Sequence, residues 1–158
     1  SMASLFEGTQ LINKAGEKSD PGVLAKYPKV GLYFSSNWCP DCKPFTPILA
    51  EFYDVVNEDE KKFEVVYIPS DEDEAAQLKY MKDKHADWLA LSVSDPLTKQ
   101  LKIKYQTFAG REQGDMGDCP RKNGIPTLIV LNNDGSVVKE GDAAEADLKK
   151  GPKSFASW

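Results

Sequence analysis

Three stretches of the chain, VGLYFS at 30–35, FEVVYI at 63–68 and TLIVL at 127–131, are apolar almost without interruption. A half-exposed strand alternates polar and apolar side chains, whereas a strand covered on both faces does not. The runs therefore predict strands sandwiched between helices. A shorter run at 136–138 follows Asp134-Gly135, a dipeptide suited to a tight two-residue hairpin, and predicts an antiparallel edge strand. Between the runs, apolar positions take helical spacing. Phe45, Ile48, Leu49, Phe52, Val55 and Val56 make one stripe of a long helix starting near Cys39, which joins the first two strands. Ser70 followed by Asp71, Glu72 and Asp73 has the form of a helix start, continued by the stripe Ala75, Leu78 and Met81. Asp95-Pro96 reads as cap and first-turn proline of a helix through Leu97, Leu101 and Tyr105. The acidic-then-basic segment 142–150 predicts one more. The least patterned stretch, 106–124, carries four glycines and many charges, and its length predicts a mobile or functional segment.

This order predicts a single α/β domain over residues 1–158. Its central mixed sheet has an antiparallel edge hairpin, is flanked by helices and follows an extended N-terminal segment, with 1–4 a flexible start or expression remnant. A chain of 158 residues can bury ~70% of its unfolded surface, enough for a core without staples. No apolar run approaches the ~18 residues of a membrane span, so no membrane role is expected. A net charge of −5, with lysines scattered among acids, argues against nucleic acid as a partner. The first residues lack a basic region followed by a long apolar stretch, so the expected address is cytoplasmic, with the nucleus second. A monomer is expected.

The chemistry concentrates in FSSNWCPDCKPFTP, residues 34–47. Two of only three cysteines stand two residues apart where a strand hands over to a helix. There the unpaired N–H groups and positive dipole end stabilise a thiolate at Cys39. Pro40 suits a first helical turn, Pro47 is deep enough to kink the helix, and Cys42 stays within disulfide reach. C-x-x-C beside a βαβ pattern is the sequence sign of dithiol exchange: one sulfur attacks and the second resolves the mixed disulfide. Acidity contributes little. Lowering a thiol pKa from ~8.5 to ~7 raises the ionised fraction at pH 7 from roughly 3% to 50%, but each thiolate becomes about fivefold less nucleophilic, a net gain of about threefold. Access, leaving-group quality and an aligned partner must supply the rest. Ile125-Pro126 is the candidate for alignment, because an X-Pro bond entering a strand is prone to the cis isomer and leaves backbone groups free to hold an extended segment. Trp38, Pro40, Asp41 and Glu72 complete the candidate contact surface. Asp41, between the sulfurs, opposes thiolate formation at Cys39, partly offset by Lys43, and so favours a more reducing pair.

The stretches GLYFSSNWCPDCKPFTPIL, FEVVYIPSDEDE, WLAL and GIPTLIVLNNDGSVV occur in the order found in the nucleoredoxin and tryparedoxin branch of the thioredoxin superfamily, which the chain resembles over most of its length. The resemblance implies a thioredoxin-like fold, Cys39 as nucleophile, Cys42 as resolving thiol and Pro126 as a cis-proline facing them. It implies a protein-disulfide reductase whose redox group is the Cys39–Cys42 pair, without metal or organic cofactor. Disulfide-containing proteins such as peroxiredoxins would be its partners, and a small thiol or a reductase its upstream reductant. It places Tyr33 where ordinary thioredoxins bury an aspartate, leaving proton transfer to Glu72 or water. The chain departs from the pattern at Asp41, where the family usually has a second proline. It also has Ser70 where tryparedoxins carry a tryptophan, and no arginine after the last strand.

Competing readings attach to the same residues. A redox-gated binding protein would use the pair to sense oxidation without turnover. Cys39, Cys42, Cys119 and His85 would suffice by count for a structural zinc site, although no second close-spaced ligand pair exists. His85, near a helix end, reads as structural or matched to the helix dipole. Cys119 reads as an exposed bystander, with a regulatory disulfide or glutathionylation as the alternative.

Overall fold

The computed structural model describes residues 1–158. All three apolar runs are strands: β3 (Lys29–Ser35), β4 (Phe63–Pro69) and β6 (Thr127–Asn132). β3 is central, parallel to β4 and antiparallel to β6. The Asp134-Gly135 turn leads into β7 (Val137–Glu140), which pairs antiparallel with β6 at one edge, with a register shift at Val130/Leu131. Two-residue strands extend the other edge: β1 (Leu11–Ile12), β2 (Lys18–Ser19) and β5 (Leu89–Ala90). The sheet order is β2-β1-β5-β4-β3-β6-β7. The expected extended N-terminal segment is thus a small hairpin.

Because alternate residues of a strand face opposite ways, the buried strands divide the core in two. Val30, Leu32, Phe34, Val66, Ile68, Ile129 and Leu131 face a layer closed by the N-terminal segment and by Leu101 of α3 (Pro96–Lys104). Tyr33, Phe63, Val65, Tyr67, Leu128 and Val130 face α1 (Cys42–Val56) and α4 (Gly141–Lys150), with Met81 of α2 (Glu74–Lys84) in the same layer. Met2 anchors the first residues to the first layer: it is fully buried and its N–H donates to the Asn133 carbonyl at 2.8 Å, while Ser1 and Ser4 are exposed. Gly31 is fixed by close approach, since a Cβ there would lie 2.9 Å from Leu128 Cδ1.

Two helix starts move from the expected places. α1 begins at Cys42, three residues after Cys39, and runs through Pro47. Residues 39–41 form a tighter turn in which the Cys42 and Lys43 N–H groups donate to the Cys39 and Pro40 carbonyls at 3.2 Å. In α2 the cap is Asp73, accepting from Ala76 N at 2.8 Å, and not Ser70. Of the predicted stripe Met81 is buried and Leu78 packs against the core, but Ala75 is exposed, and Gln77 joins the buried face instead. α3 starts as expected, with Asp95 accepting from Leu97 N at 2.9 Å and Pro96 in the first turn.

Candidate active site

β3 delivers the chain through Ser36, Asn37 and Trp38 to Cys39, so the dithiol sits at the carboxyl end of the central strand. Ligand sites of open α/β sheets gather at such ends. Cys39 and Cys42 form a disulfide, with Cα atoms 5.3 Å apart. Cys42 is fully buried and Cys39 is buried but for 4% of its surface, so of the two cysteines only Cys39 reaches the surface at all. Its Sγ lies 3.8 Å from the Ile125 carbonyl, and the Ile125–Pro126 bond is cis. Pro126 also borders a groove of about 310 Å³ between α1 and α4, lined by Asp41, Pro44, Phe45, Ile48, Glu145, Leu148 and Lys149. Cys39, Pro126, Ile125 and Asp41 thus come together, and the exposed Pro40 and half-buried Trp38 flank them.

Glu72 does not join this group. It is exposed, and the carboxylate that enters the site is its neighbour Asp71, 4% exposed. Asp71 accepts from the Asn37 N–H at 2.7 Å, the Ser36 hydroxyl at 3.3 Å and the Tyr67 hydroxyl at 2.6 Å. It therefore pins the turn that presents Cys39. Burial holds its carboxyl above the usual range, against the pull of those three donors.

Behind Cys42 stands a cluster of hydroxyls in place of a buried aspartate. The Tyr33 hydroxyl meets Thr46 Oγ1 at 2.6 Å, Thr46 meets the Tyr80 hydroxyl at 2.9 Å, and Tyr80 meets Ser35 Oγ at 3.1 Å. Thr46 also donates to the Cys42 carbonyl at 3.1 Å. Burial raises the Tyr33 pKa far out of the physiological range, so Tyr33 can pass a proton only by exchanging hydrogen bonds. A recess of about 340 Å³ bordered by Asn37, Lys43 and Lys84 reaches Thr46 and Tyr80 from solvent. Thr46 lies one helical turn beyond Cys42, a spacing that could have flagged it in the sequence; Tyr80 offered no such sign.

The irregular segment 106–124 is built onto this site. Residues Gly110–Met116 form a short 3-10 helix whose Glu112 accepts from Ser70 Oγ at 2.7 Å, from the Ala109 N–H at 2.9 Å and from Lys102 Nζ at 2.7 Å. Ser70 in turn accepts from Trp38 Nε1 at 2.9 Å through its carbonyl, and the Arg111 guanidinium lies 3.5 Å above the Trp38 ring. Sequence reasoning missed Glu112 and Arg111, which stand in a stretch without periodicity. Cys119 is half-exposed, its Sγ 3.7 Å from the Ile103 carbonyl. His85 is turned into the aromatic core, where Nδ1 accepts from Trp88 Nε1 at 3.0 Å. The four residues counted for a zinc site do not converge. Nor does His85 act as a charged dipole partner: burial, reinforced by Lys14, pushes its pKa down from 6.5 to about 3.

The thioredoxin-like family profile matches residues 28–137, a span that contains the dithiol, Asp71, segment 106–124 and Pro126. The chain belongs to the thioredoxin-like family. It is 36% identical to a tryparedoxin of Trypanosoma brucei brucei over 130 residues, covering 82% of this chain and 77% of that one. It is 33% identical to nucleoredoxin of Danio rerio over 136 residues, or 86% of this chain, but spans only 28% of that longer protein. The crystal structure of a thioredoxin from Wuchereria bancrofti superposes with a TM-score of 0.73 at 33% identity, covering 97% of this chain and 95% of that one. The fold and the family thus agree with the expectation from sequence.

Proposed function

We propose that this thioredoxin-like chain is a protein-disulfide reductase in which Cys39 attacks and Cys42 resolves. The Cys39 thiolate attacks one sulfur of the partner's disulfide. That S–S bond breaks, and the other partner sulfur leaves as a thiolate and takes up a proton. Cys42, ionised in its turn, attacks Cys39 Sγ and expels the second partner sulfur. Two electrons reach the partner, and the Cys39–Cys42 disulfide remains until an upstream small thiol or reductase restores it. The pair is the only redox group the cycle needs.

The observation that carries this reading is the position of Cys39, the less buried of the two cysteines, beside an extended backbone edge. Cys39 alone keeps a reachable surface, and the Ile125 carbonyl 3.8 Å away belongs to backbone that a partner segment could join as an added strand. The groove floored by Pro126 would hold that segment, with Trp38, Pro40 and Asp41 around it. Thr46 and Tyr80 supply a hydroxyl path from the buried Cys42 region to the lysine-lined recess, in place of Glu72. Family resemblance supports peroxiredoxins among the partners.

Insulin reduction with dithiothreitol as terminal reductant tests the activity. Wild type is expected to turn over repeatedly and Cys39→Ser to fall to background, whereas a single stoichiometric event would identify a sensor. Cys42→Ser should stall the mixed disulfide and retain partner proteins until a thiol is added.

A further inference from the structure

The chain has 20 lysines and arginines, of which only Arg111 and Arg121 are arginine. Both stand on the segment that borders the dithiol, and both are exposed. Arg111 Cζ lies over the ring of Trp38, the residue before Cys39, 3.5 Å from its centroid. The Arg121 guanidinium lies across Gly124, where a Cβ would meet Nη1 at 2.7 Å, and also within 3.7 Å of a Cβ built on Gly110. Gly124 is one residue, about 3.8 Å of chain, from Ile125, whose carbonyl faces Cys39 Sγ. One guanidinium thus covers Trp38, the residue before Cys39, and the other covers Gly124, the residue before Ile125.

Neither guanidinium makes an internal ion pair. Every ion pair in the chain is made by a lysine, including the two on neighbouring ground, Lys102–Glu112 and Lys122–Glu140. Asp115 and Asp118 follow on the same segment, and neither pairs with an arginine. Stacking on an aromatic face fixes a guanidinium while leaving its edge of N–H donors free, and that planar fork matches a carboxylate in a way an ammonium does not. Gly124 admits Arg121 because any side chain there would displace it.

The geometry points to Arg111 and Arg121 as a carboxylate-recognising lip that selects disulfides flanked by carboxylates. This rests on the proposed dithiol exchange and names its substrate class. A small anionic thiol and an acidic protein segment both present that chemistry. Because the contact is exposed, each arginine is expected to contribute about 2- to 5-fold in rate, the size of a surface ion pair, and less at high salt.

The test measures oxidation of the reduced protein, followed by Trp38 fluorescence, with three small disulfides: oxidised glutathione (anionic), hydroxyethyl disulfide (neutral) and cystamine (cationic). A fourth arm uses a peptide loop disulfide flanked by two glutamates against the same loop with glutamines. The readout is the ratio of anionic to neutral rates. In Arg111→Gln and Arg121→Gln this ratio is expected to fall about 2- to 5-fold each, while Lys153→Gln, the same charge change on an exposed residue of the C-terminal 3-10 helix, leaves it where it was. A fall in either anionic arm supports the lip and names the source of the carboxylate. Oxidation by every probe with an unchanged ratio overturns the lip alone; oxidation by none overturns the dithiol reading and the lip with it.

Discussion

Two carboxylates, Asp71 buried and Glu112 partly buried, hold the approaches to the dithiol, and they are compensated in opposite ways. Asp71 pins the turn at 36–38 through three neutral donors and makes no ion pair. Glu112 pins segment 106–124 through a hydroxyl and an amide, and also meets the ammonium of Lys102, whose side chain is 5% exposed. Ser70 and Asp71, adjacent in the chain, receive the two attachments, so the walls of the site are tied to one spot at the end of β4. Hydrogen bonds to neutral groups let a carboxylate change protonation at modest cost. A buried ion pair instead makes each charge dependent on the other. The turn is thus free to respond to pH, while the segment depends on one lysine.

The strongest way to break this contrast is to remove the lysine. Lys102→Met keeps the volume but leaves Glu112 with an uncompensated charge, and a loss of about 3 kcal/mol is expected, read from denaturant midpoints. In Lys102→Met/Glu112→Gln the loss should shrink, because the orphaned charge is gone. A single-mutant loss under about 1 kcal/mol would mean that solvent already compensates Glu112. Trp38 fluorescence should change with it, since Glu112 reaches Trp38 through Ser70.

The pH response of the first region is next in size. His85 packs edge-on to Tyr67, the donor to Asp71, with ring centroids 4.6 Å apart. Its folded pKa of about 3 lies below the unfolded 6.5. The stability it contributes is therefore complete above 6.5 and is lost as pH falls toward 3. At pH 5 the loss is about 2 kcal/mol. Asp71 runs the other way: its raised folded pKa gives stability that is present at low pH and lost as pH rises through that value. Urea unfolding at pH 7 and pH 5 should show the His85 loss, and His85→Phe should flatten it. A slope that survives the substitution belongs to other groups.

The two regions also differ in how well the sequence reveals them. β3, β4 and β6 announce themselves because burial on both faces needs an unbroken apolar run, and the dithiol because two cysteines at a strand-to-helix junction have few other uses. Ser70 to Asp73 misleads, since the run offers several acceptable caps. Asp73 takes the role because Asp71 is drawn to Asn37, 34 residues earlier, a contact no local pattern records. Strands β1, β2 and β5 are two residues each, too short for periodicity to register. Segment 106–124 is held by Glu112 and stacked on Trp38 through Arg111, and in a stretch rich in charges nothing marks those two from the rest.

Asp41 extends the comparison to a third carboxylate, one left to solvent. It is exposed and makes no cap hydrogen bond to α1. Its influence on Cys39 is therefore through space alone, and water screens it. Removing a negative charge between the sulfurs stabilises the thiolate of the reduced state, which makes the pair less reducing. An exposed charge of this kind acts with about 0.2 to 1 kcal/mol. At 30 mV per ~1.4 kcal/mol, the midpoint should rise by about 5 to 20 mV in Asp41→Asn. Asp41→Pro should move the same way, with any excess over the asparagine variant assignable to backbone constraint. Titration against glutathione at low and high salt reads both: the rise should shrink as salt increases, and a midpoint that falls, or ignores salt, would remove Asp41 from the electrostatics of the pair.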